Sequence, residues 1–139
     1  MDDSGSKLLK SLFDGNESER PSSELTEKII GCAFKVSNTL GCGYLEKVYE
    51  NALAYELRKA GLKVEQQKRV DVFYDGILVG YFDADIVVED NVILEIKAVR
   101  ALDDAHRAQT LNYLKSTGLR LGLLINFGAP RVEIKRVAL

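Results

Sequence analysis

The stretch "DADIVVEDNVILEIKA", residues 83–98, decides the fold. It predicts two neighbouring strands of a buried sheet, and both strands also carry charged side chains. Residues 93, 94, 96 and 98 are apolar, whereas Glu95 and Lys97 are charged. Successive side chains of a strand point to opposite faces, so Glu95 and Lys97 emerge from the same face. Burying charge without a partner costs several kcal/mol in practice. The pair therefore marks either a solvated sheet edge or a functional site.

The turn between the two strands decides which side chains face each other. A three-residue loop over 89–91, ending in an Asn that tolerates a left-handed conformation, places Val88 opposite Val92. Counting back from that pair places Asp85 opposite Glu95, and cross-strand partners lie about 4.5–5.5 Å apart at Cβ. A two-residue loop would instead put Asp85 and Glu95 on opposite faces of the sheet.

Asp85 and Glu95 form a candidate metal site, because two facing carboxylates repel each other unless a positive charge lies between them. Mg²⁺ meets this need, since it prefers oxygen ligands and typically binds one or two carboxylates plus water and phosphate oxygens. The peptide carbonyl of Ile96 is a further candidate ligand, and the Lys97 ammonium could hold or polarise a nearby water. Such a site fits hydrolysis of a phosphodiester. The alternative is a structural network of ion pairs between these carboxylates and Lys97.

The composition is that of an ordinary soluble domain. The chain has 139 residues, of which 46% are hydrophobic and 29% charged, enough for one domain with its own core. The formal net charge of -2 does not demand a nucleic-acid partner, although it allows a local basic patch. Cys32 and Cys42 lack metal-ligand spacing, which indicates reduced thiols. No apolar run approaches a membrane span or the core of a signal peptide, so we expect a cytoplasmic protein with no membrane contact.

The periodicity along the chain predicts a flexible tail over residues 1–23 and one folded domain over 24–139. The domain shows two helical patterns, three strands, a helix and two strands, with Asp75-Gly76 as a hairpin turn and Asp103 as a helix cap. This order, ααβββαββ, predicts an α/β or α+β fold in which helices flank a central mixed sheet.

Two motifs give the sequence a resemblance to a known family. Asp85 followed by "EIK" at 95–97 resembles the D…(D/E)xK signature of the PD-(D/E)XK nuclease superfamily. Gly43, Glu46 and Tyr49 match the signature of the GxxExxY family, and "AQTLNYLK" with "TGLRLGLLINFG" resembles that family's C-terminal half. The likeness extends over nearly all of residues 25–137. It implies a restriction-endonuclease-like core.

The resemblance also assigns roles to residues. It implies that Mg²⁺ or Mn²⁺ binds Asp85 and Glu95, that Glu46 completes the metal site from the second helix, and that Lys97 orients the attacking water. Gln109 and Tyr113 match the QxxxY motif of RecB-like nucleases and share one helix face. Two alternatives stand beside these roles: Glu46 is a solvated helix residue, and the last residue of the QxxxY motif is a core aromatic with a satisfied hydroxyl.

The function implied is a metal-dependent nuclease that hydrolyses phosphodiester bonds in nucleic acid, with DNA favoured over RNA. The basic residues are scattered and form no stripe, so a lone domain is expected to bind phosphate weakly. A homodimer or a larger assembly is then the expected source of specificity. The alternative function is that of a catalytically inactive nuclease-fold module, which acts in nucleic-acid binding or protein assembly.

Overall fold

The computed structural model describes residues 21–139, so the tail predicted over residues 1–23 lies almost wholly outside the described residues. The first helix begins at Ser23, and Ser22 caps it by accepting a hydrogen bond from the Leu25 N–H at 3.1 Å. The order of elements is the predicted one. The helices are α1 (Ser23–Leu40), α2 (Glu46–Lys59) and α3 (Asp104–Thr117), and the strands are β1 (Val64–Tyr74), β2 (Ile77–Val88), β3 (Val92–Lys97), β4 (Leu121–Asn126) and β5 (Glu133–Ala138).

The strands form one mixed sheet, as predicted, and their order in it is β1-β2-β3-β4-β5. Every neighbouring pair is antiparallel except β3 and β4, which are parallel. Parallel neighbours need a long crossover, and α3 supplies it. Asp103 caps α3, and the His106 side chain completes a capping box, while Gly118 ends the helix in a left-handed conformation with φ 75°.

Both faces of the sheet are covered by apolar packing. On one face, Tyr49, Leu53 and Leu57 of α2 join a cluster with Leu94 and Ile96 of β3. The second cluster joins Ala84, Val87 and Ile93 to Leu114 of α3. Because side chains alternate along β3, Glu95 shares the face of Ile93 and points to the α3 side.

The turn between β2 and β3 has the predicted length. Val88 pairs with Val92, and the register continues to the pair of Ile86 with Leu94. The left-handed residues are Glu89 (φ 53°) and Asp90 (φ 51°), so the expectation of one at the last loop residue was wrong. Both residues contact Lys63, whose N–H donates to the Glu89 carboxylate and whose ammonium donates to Asp90, each at 2.6 Å.

Two further expectations concern the state of the cysteines and contact with a membrane. Both cysteines, Cys32 and Cys42, are free thiols. Within residues 21–139, no helix combines the length and the apolar character that crossing a membrane requires.

Candidate active site

The candidate site lies where β2 and β3 part. Their ladder ends at the pair of Ile86 with Leu94, one step before Asp85 and Glu95. Beyond that point, hydrogen bonds between side chains and backbone join the two strands. The Asp85 N–H donates to the Glu95 carboxylate at 3.1 Å, and the Ile96 N–H donates to the Asp85 carboxylate at 2.8 Å. The structure therefore brings the predicted carboxylates together, with the backbone of Ile96 between them.

Glu95 is nearly inaccessible to solvent, with 4% of its surface exposed. Burial, and then the neighbouring charge of Asp85, raise the pKa of Glu95 to about 9, while the Lys97 ammonium opposes part of this rise. Two carboxylates this close cannot both ionise cheaply, so the pair retains a proton unless a cation offsets their charge. This is the electrostatic property expected of a cation-binding pair.

Lys97 and the QxxxY residues lie on the same side of this pair. The Lys97 ammonium donates to the Gln109 side-chain oxygen at 3.2 Å, which ties β3 to α3. Tyr113 stacks on Phe82 with ring centroids 3.8 Å apart. Burial and the charges of Glu95 and Asp85 raise the pKa of Tyr113 to about 12, so its hydroxyl stays neutral beside the carboxylates. Tyr113 thus packs as an aromatic and lies close enough to Glu95 and Asp85 for their charges to affect it.

Glu46 is not part of this cluster. It is the exposed first residue of α2, and no hydrogen bond joins it to Asp85 or Glu95 within residues 21–139. The acidic residue that α2 presents to the site is Glu50, one turn later, with 4% of its surface exposed. The Gln67 amide nitrogen donates to Glu50 at 2.7 Å and to Asp85 at 3.3 Å, and so connects the two carboxylates.

Sequence reasoning missed Glu50, although a signal was present. Glu50 lies inside the buried stripe of α2, next to Tyr49 and one turn before Ala54. A carboxylate at such a position is costly unless it is satisfied. Glu50 is satisfied by three donors: Gln66 and Gln67 at 2.7 Å and Lys47 at 3.0 Å.

Two residues of the GxxExxY pattern, Gly43 and Tyr49, stabilise the loop between α1 and α2. Gly43 has φ 118°, which side-chain-bearing residues rarely adopt. The Tyr49 hydroxyl donates to the Gly41 carbonyl at 2.6 Å and accepts from the Tyr44 N–H at 3.1 Å. The Tyr49 ring also stacks on Phe127, with centroids 4.8 Å apart. The structure thus gives Gly43 a role in the backbone conformation of the loop and Tyr49 a role in packing.

Asn126 holds the chain that follows Lys97, a contact that no pattern in the sequence indicates. Its side chain, which is completely buried, accepts from the Val99 N–H and donates to the Val99 carbonyl, both at 2.9 Å. The Phe127 N–H donates to the Lys97 carbonyl at 2.9 Å. These bonds fix the backbone at the end of β3, where Lys97 emerges.

The donors at the site suit a hard divalent cation. Asp85 and Glu95 offer carboxylate oxygens, and one or two carboxylates with water satisfy Mg²⁺. In the part of the chain that the structure describes, no group of three or more His, Cys, Asp or Glu side chains is arranged to hold a metal ion. Glu50 is linked to the pair through Gln67 rather than directly.

A mixed five-stranded sheet between helices, with Asp85, Glu95 and Lys97 at the parting of two strands, defines a restriction-endonuclease-like domain. The family model of the PD-(D/E)XK nuclease superfamily matches residues 23–137. The chain belongs to that superfamily, whose nucleases generally use divalent metal ions.

Two solved structures share the fold. The crystal structure of SSO0001 is 19% identical, with a TM-score of 0.52, and the match covers 84% of this chain and 59% of that one. The crystal structure of an alkaline exonuclease (LHK-Exo) from Laribacter hongkongensis is 11% identical, with a TM-score of 0.51 and coverage of 95% and 81%. The chain thus spans 59% of the length of SSO0001. No curated protein sequence matches the chain significantly.

Proposed function

We propose that this protein is a nuclease that hydrolyses phosphodiester bonds in nucleic acid with the help of Mg²⁺ or Mn²⁺. The observation that carries the proposal is the contact between Asp85 and Glu95, with Lys97 two residues further along the same face. Membership of a nuclease superfamily supports the assignment of phosphodiester hydrolysis to this arrangement. DNA is the substrate that we propose, and the activity panel described below also includes RNA.

Each residue has a place in this proposal. Asp85, Glu95 and the Ile96 carbonyl would hold the metal ion, which supplies a water of lowered pKa and neutralises phosphate charge. Lys97 would hold the attacking water and stabilise the charge that develops on phosphate oxygen as the new P–O bond forms and the ester bond breaks. Gln109 already accepts from the Lys97 ammonium, so its amide would orient that ammonium. Tyr113 would donate its neutral hydroxyl to the same water or to phosphate.

We further propose that the chain belongs to the GxxExxY subgroup and is similar to the RecB-like nucleases. Support comes from the backbone conformation of Gly43, the packing of Tyr49, and the contacts of Gln109 with Lys97 and of Tyr113 with the charge of Glu95. In this proposal Glu50, rather than Glu46, is the carboxylate that α2 contributes, as a further ligand of the metal ion that Asp85 would hold. The free thiols suit the cytoplasm, where we propose that the protein acts.

An activity panel tests the nuclease proposal. Single-stranded, duplex, flap and circular DNA, and RNA of matched sequence, are incubated with wild-type protein in Mg²⁺, in Mn²⁺ and in chelator. We expect cleavage of at least one DNA substrate that stops in chelator and in Asp85→Asn. Wild-type protein that cleaves nothing in either metal would overturn the proposal and favour the inactive module, whereas cleavage that persists in chelator would overturn the metal-dependent mechanism.

The partner that we propose is a second copy of the chain, bound through the tip of the β1–β2 hairpin, residues 73–81. The tip exposes large apolar side chains by 49–70%, namely Phe73, Tyr74, Ile77, Leu78, Val79 and Tyr81. Six side chains of this size, each about half exposed or more, offer on the order of 600 Å², which approaches the ~800 Å² per partner of a standard interface. Asp75 lies within the tip and Asp71 lies just before it. Their negative charges would repel a phosphate backbone, so nucleic acid does not suit this surface.

Sedimentation velocity tests this contact. We expect wild-type protein to sediment as a dimer at micromolar concentration and Ile77→Arg to sediment as a monomer. Leu45→Arg is the matched control, because Leu45 is 82% exposed on a different element. A monomeric wild type, or a dimer that both variants retain, would overturn this assignment.

A further inference from the structure

Gln67 has a backbone conformation that is unusual for the middle of a strand. Its φ of 52° lies in the left-handed region, which residues with a side chain rarely adopt. The β1–β2 ladder runs from the pair of Gln66 with Ile86 to the pair of Lys68 with Ala84, and leaves out Gln67 and Asp85 between them. Strained residues of this kind persist where surrounding contacts hold them, and they concentrate at functional sites.

The contacts that hold Gln67 are those of its amide nitrogen. This nitrogen donates to Glu50 Oε1 at 2.7 Å and to Asp85 Oδ1 at 3.3 Å. An amide nitrogen has two hydrogens, so both are used. Glu50 is 4% exposed and lies on α2, and Asp85 lies on β2. One atom of Gln67 therefore joins carboxylates from two separate elements.

The position of this nitrogen is the one that a cation shared by Glu50 and Asp85 would need. A neutral amide N–H relieves the repulsion between two carboxylates only in part, whereas a divalent cation relieves it fully. The amide nitrogen itself cannot ligate a hard cation, because its electron pair is delocalised. An ion that lies between Glu50 Oε1 and Asp85 Oδ1 would therefore take the place of the amide nitrogen and displace its two hydrogen bonds.

We propose that Gln67 is a latch, a positioning residue that holds Glu50 and Asp85 together and gives up its place between them when a divalent cation binds. This inference rests on the proposed metal-dependent function and deepens it. The left-handed backbone directs the amide of Gln67 toward the two carboxylates. The cation competes with this amide for the same carboxylate oxygens. The latch lowers the affinity for metal and keeps Glu50 and Asp85 in an ordered arrangement before the ion arrives.

Mn²⁺ titration calorimetry at neutral pH tests the latch without relying on nuclease activity. Gln67→Gly removes the amide and suits the left-handed backbone. Hydrogen bonds to charged groups are strong, so loss of both competitors is expected to tighten Mn²⁺ binding at least about tenfold. Gln67→Asn keeps an amide and also tolerates the conformation, but its shorter side chain is not expected to bridge, so it should bind Mn²⁺ like Gln67→Gly.

Gln66→Ala is the matched control. Gln66 also donates to Glu50 at 2.7 Å, on its other oxygen, but not to Asp85. We expect its Mn²⁺ affinity to stay within about twofold of wild type. Equal or weaker binding in Gln67→Gly than in wild type, or the same gain in Gln66→Ala, would overturn the latch and leave the proposed nuclease function standing. Absence of binding in wild type and in every variant would overturn both, whereas binding that appears only in the Gln67 variants would support the latch.

Discussion

Glu95→Gln is the substitution that isolates the electrostatic character of the site. It keeps the shape of the side chain and an oxygen that can accept the Asp85 N–H, which Glu95 accepts at 3.1 Å. It replaces the ionisable oxygen with a neutral NH2 group. We expect the variant to be more stable than wild type at pH 8 in chelator and equally stable near pH 4.

The sign and size of this effect follow from the raised pKa of Glu95. Below its unfolded pKa of about 4.3, the group is protonated in both states and has no effect on the free energy of unfolding. As the pH rises, the unfolded chain loses this proton while the folded protein keeps it up to about pH 9, so wild type loses stability across that window. At about 1.4 kcal/mol per pKa unit, one third of the rise already amounts to about 2 kcal/mol.

Thermal unfolding at pH 4, 6 and 8 measures this difference. About 2 kcal/mol corresponds to a Tm difference of roughly 6 °C for a domain of this size. Adding Mg²⁺ at pH 8 should raise the Tm of wild type, because a ligand that binds only the folded state stabilises it, and should raise that of Glu95→Gln less. A Tm difference between the two proteins that is the same at pH 4 and pH 8 would refute the assignment of a raised pKa to Glu95.

Three further substitutions test the framework of the site. Asn126→Ala leaves the Val99 backbone groups without their buried partner, so we expect a loss of about 3 kcal/mol in urea unfolding, compared with no loss for the exposed Asn112→Ala. Gly122→Ala should cost about 1–3 kcal/mol, since a Cβ would lie 2.7 Å from the Thr110 methyl; an unchanged urea midpoint would contradict this packing. Tyr113→Phe keeps the stacking on Phe82, so we expect unchanged stability and a cleavage rate lowered about 10- to 100-fold; full activity would assign Tyr113 to packing alone.

Much of the fold could be predicted from the sequence because its signals are local. Asp75 and Gly76 both have positive φ, as their hairpin turn requires, and Asp103 and Gly118 bound α3 through short-range hydrogen bonds. The length of the β2–β3 loop fixed which residues face each other. These features depend on neighbours in the chain, which is why one sequence suffices to predict them.

The parts that the sequence did not reveal depend on contacts between distant segments. Gln67 reaches Glu50 across 17 positions and Asp85 across 18, and Asn126 reaches Val99 across 27. No periodicity encodes such contacts. Glu46 matches a motif, yet it is exposed at the start of α2, whereas Glu50 lies in the buried stripe of that helix.

The cleavage rate of Lys97→Ala tests the central claim most directly. The rate is measured in Mg²⁺ on the best substrate of the panel, with far-ultraviolet circular dichroism to confirm folding and with the exposed Lys115→Ala as the control. Loss of an electrostatic stabiliser of the transition state should lower the rate about 100- to 1000-fold, while Lys115→Ala stays near wild type. A folded Lys97→Ala protein that cleaves as fast as wild type would contradict the proposed active site.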